Sequence, residues 1–257
     1  MAERSFGTRW RRLGAGVATV AVAVAAVTVV ASGAASAAVD CHAAPGPSVN
    51  LRGCDLAGAD FAGANLSRAR LLHADLAGAD LIGANLSGAN VIGATLSGAR
   101  LTNANLDRAN LTSATLTGAT LSGAHLEHAR LEHATLDNAV VSGASFVHGN
   151  LIGATLTRAT AKGTAFTDAV MKTVDLSHAT LTGAYFEGAN LDSTSLAGAT
   201  LVGASLYKTK LAGSDLDGAN LTDAILVHAN LSGIQRAGTI WTGASCPDGA
   251  VAGPSGC

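Results

Sequence analysis

Six histidines, His73, His128, His133, His148, His178 and His228, stand at one place in a repeating frame, two residues after an apolar residue. Imidazole beside carboxylate is the donor set of a metal site or a general base. His128 and His148 have His125, Glu127 and Glu132 close to them in sequence. No short His-x-His motif and no cysteine joins this group, as the usual zinc ligand spacings would require. Solvated side chains in a permissive outward slot are the favoured reading. Whether His125, His128 and His148 take a metal stays open at this level, and no metal site is assigned. The carboxylates Asp55, Asp60, Asp75 and Asp80 and the scattered serines occupy similar slots. No nucleophile elbow or glycine-rich phosphate loop accompanies them, and glycine spacings of the GxGxxG kind are by-products of the repeat. No enzyme and no cofactor are expected.

The frame that places these residues has a period of five. In "DLAGADLIGANLSGANVIGATLSGAR", residues 75–100, the apolar centres are Leu76, Leu81, Leu86, Val91 and Leu96, with alanine two places before each. An α-helix would wind such centres around every side, because five residues advance it by about 140°. A strand would flip them between faces, because five is odd. From Leu51 to Leu231 the frame holds 37 centres without insertion or deletion, 29 of them leucine. The exceptions are Phe61, Val91, Val141, Phe146, Ala161, Phe166, Met171 and Phe186.

Runs such as Ala64-Asn65-Leu66-Ser67 and Ala84-Asn85-Leu86-Ser87-Gly88 resemble the pentapeptide-repeat family, whose pattern is similar to A-[DN]-L-x-x. The resemblance covers about seven-tenths of the chain. It implies an all-β fold, a right-handed quadrilateral β-helix of about nine coils of 20 residues, turning a corner in every pentad. Each centre then returns to the axis. Phe146, Phe166 and Phe186 are spaced by 20, so they form one interior column. The small Val141 and Ala161 share coils with Phe146 and Phe166 and keep the cross-section constant. Alanine two before the centre points inward, glycine two after it suits an unusual turn, and Asn or Asp before it bonds nearby backbone. At about 4.8 Å per coil the rod is roughly 45 Å long.

The 257 residues divide into a leader over 1–38, an N-terminal cap over 39–55, the β-helix over 51–235 and a C-terminal cap over 236–257. Arg4, Arg9, Arg11 and Arg12 precede an uncharged stretch from Leu13 to Ala31, then Ala35-Ser36-Ala37. This is the pattern of a secretory signal with cleavage near Ala37 or Ala38. The mature chain is expected outside the cell, with no stable membrane insertion. Its 12 basic and 17 acidic residues are scattered, so nucleic acid is not an expected partner.

All four cysteines lie at the ends of the array. On the rod that the resemblance implies, only Cys41–Cys54 with Cys246–Cys257 avoids spanning its length. The tail "IWTGASCPDGAVAGPSGC" resembles the closing segment of exported actinobacterial pentapeptide proteins, with Trp241 in the centre frame as a lid.

Three functions follow as expectations. The first is a non-catalytic exported scaffold or binding protein using outward side-chain files, its partner an unidentified protein or a cell-envelope polymer. The second, implied by the resemblance, is a DNA mimic that protects gyrase, but Arg68, Arg70, Arg100, Arg108 and Arg130 interrupt the acidic files. The third is ice binding through Thr95, Thr115, Thr135 and Thr155, flanked by Ser97, Thr117 and Thr157. A further file holds Asn50, Asn90, Asn110, Asn150, Asn190 and Asn230, broken by Arg70 and Arg130.

Overall fold

The computed structural model describes residues 39–253 and 256–257. The leader expected over residues 1–38 lies outside the described residues. Parallel β-bridges join residues twenty apart without interruption, from Asn50↔Arg70 to Ile225↔Ser245. Four pentads therefore make one coil, and the tube has four flat walls. We number them by their centres: the first carries Phe61 and Leu81, the second Phe146 and Phe166, the third Leu51 and Leu71, and the fourth Leu56 and Leu76.

One pentad shows what holds the coils together. Leu96 and Gly98 donate their N–H groups to the carbonyls of Thr115 and Thr117 in the next coil, at 2.6 and 2.9 Å. Thr95 and Arg100 donate back to Ala74 and Ala79, and Ala99 closes the corner on the Leu96 carbonyl at 3.0 Å. Each corner needs one residue in the left-handed region. Every described residue with positive φ within the repeat sits two after a centre, and eighteen residues in all carry a side chain there. L-residues enter this region at a cost that Asn, Asp and His tolerate best. That preference gives the six histidines a conformational reason to stand in one slot.

The N–H after the centre has no carbonyl to meet, and two devices serve it. Where Asp or Asn precedes the centre, its own side chain accepts: Ile82 N–H to Asp80 Oδ1 at 3.1 Å, Ser87 N–H to Asn85 Oδ1 at 3.0 Å. Where His125, Thr155, Lys210 or Gln235 stands there instead, a carboxylate one coil earlier accepts. Asp107 takes the N–H of Glu127, Asp137 that of Thr157, Asp192 that of Ala212 and Asp217 that of Ala237.

Inside, the leucine and alanine columns are almost wholly buried. Phe146, Phe166 and Phe186 stack face to face with centroids 5.1 and 5.0 Å apart. Thr164, Thr194, Thr209 and Ser214 replace alanine on the inner side, and each hydroxyl donates to a carbonyl 23 residues earlier. These buried polar groups are therefore satisfied.

Both ends are closed by disulfides, Cys41–Cys54 and Cys246–Cys257, with Cα atoms 5.4 and 5.3 Å apart. The parallel ladder continues beyond residue 235, with Asn220↔Ile240 and Ile225↔Ser245. Trp241 covers the end of the core at 8% exposure. The tail then folds back antiparallel, Val251 beside Ser245, and brings Gly256 onto the indole. A Cβ on Gly256 would lie 2.7 Å from that ring, so no larger residue fits there unless the indole moves. Arg236 falls on a centre position but turns out to solvent and donates to the Cys257 carbonyl at 2.8 Å.

Two outcomes test this packing. Replacing Phe166 by alanine removes the middle ring of the stack and should cost about 3–5 kcal/mol, read as a lower urea midpoint. Asp137→Ala should cost roughly 1 kcal/mol and speed hydrogen exchange at the Thr157 amide. Adding Thr155→Asn should restore both, because it supplies the acceptor locally; absence of rescue would contradict the shared role of the two devices.

Candidate functional site

With all four walls paired coil to coil, the variable surfaces of the described coils are the outward files and the corners. The fourth wall carries the threonine file: Thr95, Thr115, Thr135 and Thr155 are successive bridge partners, preceded by Asp75 and followed by Asp175. Its members are half-buried, and Thr155 Oγ1 is enclosed without a hydrogen-bond partner. The flanking file is broken at Asp137, whose carboxylate is spent on the Thr157 amide.

The asparagine file lies on the third wall, and its amide oxygens are turned to the backbone. Asn90, Asn110, Asn150, Asn190 and Asn230 each accept the N–H two residues on. Corner formation accounts for this file without any partner. Asp55, Asp60, Asp75 and Asp80 serve the same purpose. Asp80 also binds Arg100 at 2.8 Å, which neutralises acid on the first wall.

At the corner between the second and third walls, His128 and His148 do come together, with rings stacked at 5.0 Å. Asp168 follows, its carboxylate 4.0 Å from His148 Nδ1. The other expected ligands go elsewhere. Glu132 is on the third wall, held by Arg130 and by the side chains of Thr112 and Asn150. Glu127 accepts from Ser145 Oγ at 3.3 Å. His125 lies in the outward file of the second wall, between Asn105 and Ser145. Among the described residues no three His, Cys, Asp or Glu side chains are placed to hold one metal ion. A shallow depression of about 410 Å³ opens beside them, lined by Arg68, Gly88, Arg108, Glu127 and His128 among others. It is solvent-open and mixed in charge.

Sequence reasoning missed the second wall. Toward its C-terminal end the outward residues of this wall include exposed apolar side chains. Tyr185 and Ile225 are 50% and 46% exposed, and Val251 of the returning tail is 71% exposed. A signal existed: the chain has two tyrosines, and both, Tyr185 and Tyr207, fall on this wall. The contribution of Val251 had none, since the tail leaves the pentad frame. Among the described residues, no helix is long and apolar enough to cross a membrane.

Comparison with known proteins supports this architecture. The family model for pentapeptide repeats matches residues 48–81, 79–118, 116–151, 136–172, 174–206 and 201–234. The crystal structure of HetL, a pentapeptide repeat protein involved in heterocyst differentiation regulation from the cyanobacterium Nostoc sp. strain PCC 7120, is similar. It is 34% identical, covers 80% of this chain and 92% of its own, and superposes with a TM-score of 0.70. A pentapeptide repeat protein of the Arabidopsis thaliana thylakoid lumen is 36% identical over 37% of this chain and 66% of its own, with a TM-score of 0.37. QnrB1, a plasmid-mediated fluoroquinolone resistance protein, is 19% identical over 74% of this chain and 89% of its own, with a TM-score of 0.30. No curated protein matches. Members of this family fold as right-handed quadrilateral β-helices. With eight copies of the repeat model spanning its coils, the chain belongs to the pentapeptide-repeat family.

Proposed function

We propose that the mature protein is an exported, non-catalytic binding rod of about nine coils that engages an extended partner of the cell envelope through its outward side chains. The observation that carries this reading is the closure of the molecule. Both ends are sealed by disulfides, and the walls are hydrogen-bonded throughout, so recognition is left to side chains on flat faces. Disulfides at both ends suit an oxidising compartment, in agreement with the secretory pattern of the first 38 residues. Straight walls with regular files match a repetitive ligand better than a compact one.

Gyrase protection by DNA mimicry draws no support from charge. Arginines stand in the same files as the acids, and Asp80 is paired with Arg100. The threonine file keeps ice binding as the second reading, since Thr95, Thr115, Thr135 and Thr155 stand in register over four coils, with the Thr155 hydroxyl enclosed.

Expression of the full chain in a bacterial host tests the proposal. Mature protein beginning near residue 38 or 39 should be recovered outside the cytoplasm, with Cys41–Cys54 and Cys246–Cys257 found by non-reducing peptide mapping. It should sediment with isolated cell envelopes. Cytoplasmic protein with its leader intact, or failure to sediment with envelopes, would contradict the reading. Thermal hysteresis that Thr115→Lys abolishes would establish the ice-binding alternative instead.

A further inference from the structure

Among the described residues, the C-terminal third of the second wall is where exposed large apolar side chains gather. Its first outward file runs Tyr185, Ser205, Ile225 and Ser245 through successive bridges, and Val251 continues it by pairing antiparallel with Ser245. Exposed apolar side chains thus alternate with hydroxyls, coil by coil. The second file of the same wall holds Tyr207, Val227 and Pro247, all half-buried. His228 N–H donates to the Pro247 carbonyl at 2.9 Å, so the tail extends the wall by one further step. Elsewhere in the described residues the exposed large apolar side chains, Val39, Val170 and Ile240, stand singly.

The strip is held in shape and has a polar rim. Lys208 Nζ lies 5.0 Å from the centre of the Tyr207 ring, and His228 meets the same ring edge-on at 5.6 Å. Glu187 is steadied by the Thr167 hydroxyl at 3.3 Å. An apolar surface bordered by polar and charged residues, with Glu187 level with Tyr185 at one end, is the pattern of an interaction site.

Its dimensions select the partner. Four ladder steps from Tyr185 to Val251 make it about 19 Å long, and its two files are about 7 Å apart. A stable protein interface needs roughly 800 Å² per partner, several times more than this strip offers to a second copy or a globular protein. An extended peptide docks by adding a strand to a free sheet edge, and the backbone here is already spent on coil-to-coil bonds. A single polymer strand lying along the axis fits. A β-1,4-linked glycan turns over at each sugar, which keeps apolar CH groups along the flat side of its ribbon and hydroxyls along both edges, so the flat side would lie on the apolar strip and the edges on the polar rim. Tyrosine rings stack on CH faces, while serine, Glu187, Lys208 and His228 supply hydrogen bonds to hydroxyls. The rim carries both charge signs, which suits a glycan of little net charge.

We propose that this strip, centred on Tyr185 and Tyr207, binds a β-linked glycan strand of the cell envelope; the proposal rests on the exported binding reading above. Purified mature protein is mixed with peptidoglycan sacculi stripped of protein and anionic polymer, and separately with insoluble chitin, and bound protein is measured after sedimentation. The wild type should sediment with at least one of them. Tyr185→Ala/Tyr207→Ala should bind at least tenfold more weakly, and Thr115→Lys on the opposite wall should bind as the wild type. Both tyrosines lie outside the core, so unfolding midpoints should agree; Ile225→Glu is the second variant should they differ. Wild-type binding by both strip variants would overturn the proposal. So would envelope binding without binding to either glycan, an outcome that leaves the broader reading standing. Failure on envelopes and glycans alike removes both. A dimer that Ile225→Glu dissociates, seen by analytical ultracentrifugation, would give the strip to a second copy and overturn the glycan.

Discussion

The hydrogen bond from each centre N–H to a carbonyl in the next coil is the constraint on which everything else rests. It fixes pairing at twenty residues, from Asn50 to Ser245. Because among the described residues each wall of a coil contributes a single bridging residue, no coil has a stable edge of its own, and each is completed only by its neighbours. Residues 20 apart therefore share one fate. The stacked rings of Phe146, Phe166 and Phe186 and the threonine ladder are two readings of the same register.

That constraint also governs what the outside can carry. Every corner requires a left-handed residue, so side chains placed there are selected first for backbone tolerance. His73, His133 and His178 lean forward along the axis over Gly93, Gly153 and Gly198 of the following coil, where a Cβ would collide with the imidazole. Histidine in this slot is consequently a poor marker of chemistry. The residue before the centre is similarly burdened, since Asn and Asp there serve the following amide. Side chains with neither duty, such as Tyr185 and Ile225, are the informative ones.

Much of this was legible in the sequence because each pentad is a local unit. The leucine centres, the inward alanines and the turn glycines could be read from period five. The phenylalanine column could be read from period twenty. The backbone role of Asn and Asp before the centre could be read as well, and the structure places the Asn90, Asn110, Asn150, Asn190 and Asn230 oxygens on the N–H two residues on. The roles of the Asp107, Asp137, Asp192 and Asp217 carboxylates were hidden, because each serves an amide twenty positions later that no Asn or Asp precedes. Glu132 looked close to His128 but turns a corner away, because four residues cross from one wall to the next. The apolar strip required the tail to fold back against the frame, and no repeat rule describes that return.

A rod whose interior is uniform can diversify only along its walls, and which residues share a wall follows from the register alone. Distances between nitroxide labels test that register most directly. Thr120 and Asn220 are joined by five successive bridges on the first wall, so labels there should lie about 24 Å apart along the axis. Lys210 is ten residues nearer to Thr120 in sequence but on the opposite wall, so the Thr120–Lys210 distance should be the longer of the two. A Thr120–Lys210 distance shorter than Thr120–Asn220 would contradict the twenty-residue coil and with it every file described above.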